Sequence, residues 1–302
     1  MKGHLLVINT HNRLKDFTRL ISHVCSYDNL FNSIIIVVDS DKNYYNEIKR
    51  ILYSFTLGCN KYRLLYLNNE GGANARNIIF KRKYYKNFKY LSFCDDDDIP
   101  FKNRFIEAEK FLENNKNCIG FSTSYIRDYG LFTKKIIFKP TNFYFKDIIL
   151  NNDIGGFSFV TLNTKFCKSS FKIYEKLRSN QDWYLWLSFL KTNPNCFMYK
   201  SSILGLVYND NRNEDRLTLS KSNINSTYLF YLIVSKEMNI KIDSALSYFY
   251  YKCLRNYTIT NLIKAFIYNR KTLNLNNKHI ISLFKNVFFN KLQRLFLSKT
   301  SL

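Results

Sequence analysis

The amino-acid sequence predicts an α/β fold in which helices flank a mostly parallel central sheet, followed by a helical, basic C-terminal extension. In the first third of the 302 residues, short apolar runs alternate with segments of helical periodicity. The first runs are wholly apolar and rich in β-branched residues, as expected of strands that are buried on both faces. An alternating order of strands and helices requires crossover connections and favours a parallel sheet.

The predicted elements follow one another in a βαβαβαβ order. Strands are predicted where β-branched and aromatic residues cluster between polar turns, and helices where apolar residues recur three and four positions apart. The elements are a strand at 5–8, a helix at 14–24, strands at 34–38 and 62–67, a helix at 73–84 and a strand at 90–93.

The composition is that of a globular protein. Apolar residues make up 46% of the chain and aromatic residues 17%, with only 3 Pro, which excludes a disordered chain. No apolar run approaches the roughly 20 residues of a transmembrane helix, and the N-terminus lacks a signal-peptide pattern. The 7 Cys are scattered without the spacing of a metal ribbon, which favours reduced thiols. We therefore expect a cytoplasmic protein.

The net charge of +23 predicts an anionic partner. Nucleic acid, an anionic membrane surface and phosphorylated substrates all meet that requirement, and composition does not choose among them. The excess is densest towards the end of the chain, where residues 219–302 contain 13 Lys and Arg against 2 Asp and Glu.

A polar segment follows each of the four predicted strands. Ligands of parallel sheets bind beyond the carboxyl ends of the strands, so these segments are expected to meet at one edge. They are residues 9–13, 39–41, 68–77 and 95–98. The sequence thus predicts a binding site at this edge.

The last of these segments contains four consecutive aspartates, Asp95 to Asp98. Adjacent carboxylates repel one another, and a divalent cation relieves that repulsion while leaving coordination positions for phosphate. A solvated acidic turn explains the run equally well on its own. Its position beside three other polar strand ends favours the metal site.

The third segment contains Gly71 and Gly72 in front of a predicted helix, with Arg76 one turn later. A glycine pair before a helix can cradle a phosphate, although it more often serves a turn. Arg76 either reaches an anion or forms a surface salt bridge. Asp39, at the end of the second strand, is either a helix N-cap or a hydrogen-bond acceptor for a base edge.

Together these segments resemble family 2 glycosyltransferases of the GT-A fold, a Rossmann-like α/β architecture. The resemblance is carried by Thr10-x-Asn12-Arg13, Ile36-Val37-Val38-Asp39-Ser40, Gly71-Gly72-Ala73-Asn74-Ala75-Arg76-Asn77 and the run from Leu91 to Pro100. It covers residues 3–218 and implies an inverting transferase with a nucleotide-diphosphate sugar donor. It also implies a catalytic domain at 1–218, with a nucleotide-binding half at 1–100 and an acceptor half at 101–218. A helical, basic region at 219–302 follows.

The resemblance implies a donor-binding role for eight residues. They are Thr10, Asn12, Arg13, Asp39, Gly72, Arg76, Asp95 and Asp96. Within this set, Asp39 is expected to contact the base. Asp95 and Asp97 match the first and last positions of the family's Asp-x-Asp motif and are the expected ligands of Mn²⁺ or Mg²⁺. Asn9 stands where the family usually has proline.

A second match lies between Ser179 and Leu187. It resembles the family's acidic pair followed by an aromatic helix, with Gln181 in place of the first acid and Asp182 as the implied general base. From spacing alone, a helix cap is the better explanation of Asp182. The implied acceptor-loop residues are Gly156, Phe157, Ser158 and Trp183. A simple turn into a strand explains that loop almost as well.

The apolar, basic tail points to the acceptor. Between Ile280 and Phe296, apolar residues line one face of a predicted helix that also carries Lys and Arg, a pattern typical of helices lying in an anionic membrane surface. A core helix of a small extra domain and a homodimer contact are the alternatives. We expect a peripheral protein at the inner face of a bacterial cell membrane. Its expected substrates are a UDP-hexose and a saccharide such as a lipid-linked glycan or a lipooligosaccharide or capsule precursor.

Two rival functions stay open. A nucleic-acid-binding protein explains the charge, but no recognised module is present and four aspartates at the binding edge repel phosphates, so we expect no nucleic-acid partner. A degenerate family member that binds the donor without transferring sugar is indicated by Gln181 and by the absence of the histidine that the family usually has near residues 208–218.

Overall fold

The computed structural model describes residues 2–57, 59–149, 151–210, 230 and 233–238. The chain forms two compact units, Met1–Asn223 and Ile224–Leu302. The strands are β1 (Lys2–Thr10), β2 (Phe31–Asp39), β3 (Tyr62–Leu67), β4 (Phe88–Asp95), β5 (Ile99–Pro100), β6 (Cys118–Asp128), β7 (Thr133–Ile136), β8 (Thr141–Phe143), β9 (Val160–Asn163) and β10 (Phe197–Asn209). The α-helices of the first unit are α1 (Leu14–Cys25), α2 (Lys42–Thr56), α3 (Gly72–Lys81), α4 (Lys102–Asn114) and α5 (Gln181–Thr192).

The described strands form one sheet in the order β3-β2-β1-β4-β9-β6-β10-β5, with β7 paired to β6 and β8 to β10. The first four strands pair in parallel, which confirms the predicted βαβαβαβ arrangement. β9 runs antiparallel to both β4 and β6, so β4 and β6 point the same way, and β10 is parallel to β6. The ends of β1, β2, β4, β6 and β10 therefore share one edge. We call it the site edge; its strands end at Thr10, Asp39, Asp95, Asp128 and Asn209.

One face of the sheet is covered by α1 and α2. Phe17, Leu20, Ile21 and Val24 recur at helical spacing and are fully buried against alternate residues of β1 and β2. Burying one such side chain contributes about 1.5–3 kcal/mol. This apolar layer holds the ends of β1 and β2 in register at the site edge.

The opposite face is covered by α3 and α5. Phe80 of α3 and Phe189 of α5 lie with ring centroids 6.4 Å apart, and Phe171 packs against both of them. Because the two helices share this aromatic cluster, their first turns are held side by side. Those turns carry the predicted functional residues Arg76 and Asp182.

One predicted helix has different bounds, and α4, β5 to β8 and β10 were not predicted. α3 ends at Lys81 rather than near residue 84, because Lys83 adopts a left-handed backbone (φ +57°) that starts a 3-10 turn. The antiparallel strand β9 was predicted only within an alternative, a simple turn into a strand after the loop that contains Gly156; its four residues are too few to show a periodicity.

The second unit is described only at Phe230 and residues 233–238. The predicted helix between 280 and 296, its membrane or dimer contact and the predicted boundary at 218 all lie outside the described residues. Within the described part of the chain, no helix is long and apolar enough to cross a membrane.

Candidate active site

The turn after β1 is held by Tyr44 of α2. The hydroxyl groups of Thr10 and Tyr44 are hydrogen-bonded at 2.6 Å, and the backbone N–H of Arg13 donates to the same tyrosine oxygen at 3.0 Å. Asn12 has a left-handed backbone (φ +52°), and its amide oxygen accepts from the hydroxyl of Ser40 after β2. The structure therefore brings the three predicted residues of this turn together at the site edge.

Arg13 bridges two of the four aspartates. Its Nη1 lies 3.0 Å from Oδ1 of Asp96 and also contacts Oδ2 of Asp97. Asp96 is buried, whereas the guanidinium and Asp97 are partly exposed. The arginine thus offsets the repulsion between adjacent carboxylates from within the chain.

Asp96 and Asp98 are buried and attach the end of β4 to its neighbours. The backbone N–H of His11 donates to Asp96 at 3.2 Å, and that of Asn209 donates to Asp98 at 3.3 Å. Burial raises the pKa of Asp96 to about 7, although the charge of Arg13 acts against the shift. Burial also raises the pKa of Asp98 well above its ordinary value. Asp96 was predicted to contact the sugar donor, and such a contact would compete with its bonds to His11 and Arg13.

Asp95 and Asp97 are the partly exposed members of the run. Their carboxylates are hard oxygen ligands of the type that Mg²⁺ and Mn²⁺ take in proteins. Within the described residues, no group of three or more His, Cys, Asp or Glu is arranged to hold a metal ion. Two carboxylates at a rim suit a cation whose remaining ligands are phosphate oxygens and water. The residues present thus fit a cation that binds together with a diphosphate.

Asp39 fixes the glycine-rich turn before α3. Its two carboxylate oxygens accept from the backbone N–H groups of Glu70, at 2.7 Å, and Gly71, at 2.8 Å. Gly71 has φ +90°, which glycine adopts without steric strain. Gly72 then begins α3 at the site edge. The sequence offered a helix cap or a base contact for Asp39; in the structure Asp41 caps α2, Asp39 shapes the turn before α3, and its base contact stays a prediction.

Arg76 joins three elements at the site edge. Its Nη2 lies 2.5 Å from Oδ1 of Asp95, while its Nη1 donates to the carbonyl of Gly72 at 2.9 Å and to Oε1 of Gln181 at 3.2 Å. The guanidinium also lies over the ring of Phe157, with Cζ 4.1 Å from the centroid. Because Arg76 is buried, the alternative of a surface salt bridge is excluded.

Asp182 lies in the first turn of α5 and is held by Asn152. Nδ2 of Asn152 donates to Oδ2 of Asp182 at 3.0 Å. Burial raises the pKa of Asp182 to about 6, while the backbone N–H of Trp183 and the charge of Arg76 act in the opposite direction. Such a carboxylate is mostly ionised at pH 7 and still basic enough to accept a proton from a hydroxyl.

The loop before β9 contacts both Asp95 and Arg76 of the candidate site. Oγ of Ser158 accepts from the backbone N–H of Asp95 at 2.9 Å, and Phe157 lies under the guanidinium described above. A Cβ added at Gly156 would lie 3.7 Å from Oδ2 of Asp182. These three predicted acceptor-loop residues therefore adjoin the site, and their contact with an acceptor stays a prediction.

Trp183, the fourth predicted acceptor-loop residue, packs into the core. It is 1% exposed, and its indole N–H donates to the carbonyl of Ile148 at 2.6 Å. Consecutive helical residues point about 100° apart, so Trp183 faces the core while its neighbour Asp182 faces the site. The structure gives Trp183 a core contact, and its acceptor role stays a prediction.

Sequence reasoning missed three contributors to this edge, namely Tyr44, Asn152 and the side chain of Asn9. Asn9 is buried, and neither Oδ1 nor Nδ2 has a hydrogen-bond partner among the described residues. It lies in register with Val37 of β2 and Asp95 of β4. Asn9 could have been found from the sequence, because it stands where the family usually has proline. No sequence signal pointed to Tyr44 or Asn152.

The fold and this edge define a class of protein, the GT-A glycosyltransferases. This chain has four features of that class. They are the parallel strands β1 to β4, the partly exposed carboxylates of Asp95 and Asp97, the glycine-rich turn before α3, and Asp182 in the first turn of α5. The chain matches glycosyl transferase family 2 over residues 5–174, which is more than half of its length. It therefore belongs to that family, as the motifs predicted.

The curated relatives are glycosyltransferases as well. The UDP-Glc:alpha-D-GlcNAc-diphosphoundecaprenol beta-1,3-glucosyltransferase WfgD of Escherichia coli is 28% identical over 163 residues, which cover 53% of this chain and 58% of the relative. An uncharacterized glycosyltransferase of Rickettsia felis is 28% identical over 197 residues, which cover 62% of this chain and 30% of the relative. The chain thus matches only about a third to three fifths of the length of these relatives.

Solved structures share the architecture at low sequence identity. Residues 1-349 of S. aureus TarS in complex with UDP-GlcNAc superpose with a TM-score of 0.60 at 16% identity, covering 88% of this chain and 79% of that one. The mannosyltransferase PcManGT from Pyrobaculum calidifontis, in complex with GDP-Man and Mn²⁺, gives 0.57 at 10% identity, covering 99% and 83%. These likenesses confirm the GT-A fold.

Proposed function

We propose that this protein is an inverting glycosyltransferase that moves a hexose from a UDP-sugar to a saccharide acceptor. One observation carries the proposal: the buried guanidinium of Arg76 contacts Asp95 of the candidate donor site and Gln181, the residue before the candidate base Asp182. A sugar held at the candidate donor site lies within reach of Asp182 only if the donor site and the start of α5 are fixed relative to one another. Arg76 supplies that connection.

The donor assignment is supported by residues and by relatives. Asp39, the glycine-rich turn and the turn after β1 surround the carboxyl ends of β1 and β2, where nucleotides bind in open α/β sheets. WfgD is named for UDP-Glc, and TarS was solved with UDP-GlcNAc. A uridine donor is therefore the first choice, and the hexose is left open by these residues.

In the proposed reaction, Asp182 removes the proton from the acceptor hydroxyl as the hydroxyl oxygen attacks the anomeric carbon. The bond from that carbon to the diphosphate oxygen breaks on the opposite face, and the nucleoside diphosphate leaves. Asn152 orients the carboxylate by donating to Oδ2. Held in this way, the base acts without reorganising its own side chain.

The leaving diphosphate gains negative charge, and this chain offers two arginines to meet it. Arg76 and Arg13 lie at the same edge, each paired with an outward aspartate. A divalent cation held by Asp95 and Asp97 would supply Lewis-acid stabilisation of the same charge. The complex of PcManGT with Mn²⁺ supports that assignment by analogy of fold.

For the acceptor, we propose a lipid-linked saccharide of a bacterial surface glycan, such as a lipooligosaccharide or capsule precursor. WfgD is named for an acceptor carried on diphosphoundecaprenol, and this chain has a net charge of +23, which favours an anionic diphosphate lipid or its membrane. An enzyme with such an acceptor works at the inner face of the membrane as a peripheral protein.

The test is a thermal-shift screen of nucleotide sugars with Mn²⁺, Mg²⁺ or EDTA, followed by transfer assays with the stabilising donor. A donor present at 100 times its dissociation constant adds about 2.7 kcal/mol to the free energy of unfolding. ADP-glucose and GDP-mannose serve as controls for UDP-sugars. Absence of stabilisation by any UDP-sugar would overturn the donor assignment. Stabilisation without transfer or donor hydrolysis would instead support the degenerate, donor-binding alternative.

A further inference from the structure

The hairpin that joins β6 to β7 projects from the site edge and has a well-defined turn. The backbone N–H of Tyr129 donates to the carbonyl of Phe132 at 3.0 Å, and the N–H of Gly130 donates to Oδ1 of Asp128 at 2.8 Å. Gly130 has φ +86°, a conformation that favours glycine. The rings of Tyr129 and Phe132 are stacked with centroids 4.7 Å apart. The residues of this tip are therefore held in place rather than left as a loose loop.

The tip presents large apolar side chains to the solvent. Leu131 is 98% exposed, Phe132 61% and, at the end of β7, Ile137 56%. Single exposed apolar residues are ordinary, but Leu131 and Phe132 are adjacent at the turn and together expose apolar surface of the sort that marks an interaction site, whereas Ile137 follows β7 at its far end. Nothing in the turn's own hydrogen bonding requires leucine or phenylalanine, since both bonds use backbone donors.

Up to residue 146, the charged residues that follow Asp128, whose carboxylate accepts from Gly130 in the turn, are all positive. Residues 129–146 contain four lysines and no aspartate or glutamate. Three of them, Lys134, Lys135 and Lys139, are exposed beside the apolar patch. Apolar side chains ringed by lysines complement the interface of an anionic bilayer, where the apolar groups enter the acyl boundary and the ammonium groups meet the headgroups.

The hairpin stands on the same edge of the sheet as the candidate active site. β6 points in the same direction as β4, so its last residue, Asp128, shares an edge with Asp95. Asp128 leads directly into the turn. A surface that holds the tip therefore faces the edge at which the sugar donor is proposed to bind.

We propose that the β6–β7 hairpin, residues 129–137, is a membrane-docking element that inserts its Leu131–Phe132 tip into an anionic lipid surface. The proposal concerns the catalytic unit and is independent of the predicted tail helix. It does not depend on the identity of the donor or acceptor, although it explains how a membrane-bound acceptor is brought to this edge.

The test places a tryptophan at the tip of the full chain. Both native tryptophans, Trp183 and Trp186, are buried, so an added exposed tryptophan dominates any change in solvent polarity. Leu131→Trp is titrated with vesicles of phosphatidylcholine containing about one third phosphatidylglycerol. We expect a blue shift of the emission and quenching by lipids brominated in the acyl chain. The matched control is Tyr53→Trp on α2, where the native tyrosine is 66% exposed.

These outcomes decide the proposal because the emission of a tryptophan at position 131 reports insertion of the hairpin tip itself, and not vesicle binding through another part of the chain. Vesicle binding in sedimentation without a blue shift at position 131 would overturn docking through the hairpin, and so would an equal shift at position 53. A blue shift that grows with protein concentration in the absence of lipid would assign the tip to contact between copies of the chain and equally refute a membrane role.

A second pair of variants tests the lysines. Lys134→Glu with Lys135→Glu is expected to weaken partitioning to anionic vesicles on the order of tenfold or more, since each basic residue near such a surface contributes roughly fivefold. The control pair is Lys110→Glu with Lys116→Glu, which changes the net charge equally on α4 and before β6, away from the site edge. Equal losses in the two pairs would indicate a general charge effect and contradict docking at the hairpin.

Discussion

Arg76 and Asp95 form an ion pair 2.5 Å long that connects the first turn of α3 to the end of β4. The same guanidinium contacts Gln181 at the start of α5 and lies over Phe157. The two helices and the strand that carry the candidate site are thereby tied together through one buried side chain. Their relative positions depend on it.

A double-mutant cycle of Arg76→Ala and Asp95→Ala should give a coupling energy of about 0.5–3 kcal/mol in urea unfolding, as expected for residues in direct contact. The control is the exposed pair Lys89 and Glu113, 3.5 Å apart, whose coupling should be about 0–1 kcal/mol. Equal coupling in both cycles would mean that Arg76 acts as an ordinary surface partner.

Asp182→Asn should bind the donor normally and transfer sugar about 10²–10⁴-fold more slowly, because asparagine keeps the size of the side chain but cannot take up a proton. Transfer rate and donor affinity are measured together, since loss in turnover alone indicates an interaction made in the transition state. Glu113→Gln, an exposed change on α4, is the matched control. Near-normal turnover in Asp182→Asn would assign the base to another carboxylate.

The pH dependence of kcat/KM should report the same group. Burial raises the pKa of Asp182 to about 6, so the carboxylate is protonated and inactive as a base below that pH and becomes active above it. Activity should therefore rise as the pH increases through about 6. The residual activity of Asp182→Asn should lack this rise, and a rise of equal size in the variant would assign the titration to a different group.

Asp97→Ala should abolish the dependence of donor binding on Mn²⁺, because it removes one of the two partly exposed carboxylates proposed to hold the cation. Calorimetry of UDP binding with Mn²⁺ and with EDTA measures the effect. Wild-type protein in EDTA should resemble the variant. Unchanged, metal-dependent affinity in the variant would rule out Asp97 as a ligand.

Asp39→Asn should destabilise the protein by about 1–3 kcal/mol and weaken donor binding. The asparagine amide can accept from only one of the N–H groups of Glu70 and Gly71, and its own NH₂ then faces the other. Asp41→Asn is the control: Asp41 caps α2 by accepting from Tyr44, and asparagine caps equally well. Thermal unfolding and UDP affinity compare the two. If they behave alike, the turn does not depend on Asp39.

The parallel half of the fold was predictable because each of its elements carries a local signal. The strand at Tyr62–Leu67 was predicted with the bounds that the structure has, and the first strands were found although their ends were placed short. The antiparallel position of β9 between β4 and β6 was not predicted, because it is determined by pairing with residues far away in the sequence. Periodicity cannot report such contacts.

For the candidate site, the motifs identified which residues meet but not how they bond. The prediction of a base contact for Asp39 contained no hint of its two bonds to the turn before α3. Trp183 was assigned with its neighbour, although helical geometry turns it into the core. Both cases depend on where a side chain points, and the order of residues along the chain does not determine that.

The bridge from Arg13 to Asp96 and Asp97 has a consequence for the order of ligand arrival. A cation that approaches Asp97 must replace a guanidinium already seated there, so metal alone gains little from exchanging one counter-ion for another. Once displaced from Asp97, Arg13 keeps only Asp96 as an anionic partner, and a nucleoside diphosphate would provide a second one. Each ligand thus removes the obstacle to the other, and by thermodynamic reciprocity each tightens the binding of the other by the same factor. In the proposed function, metal and nucleotide sugar would therefore bind at this site as a cooperative pair, and Arg13 would return to Asp97 when they leave.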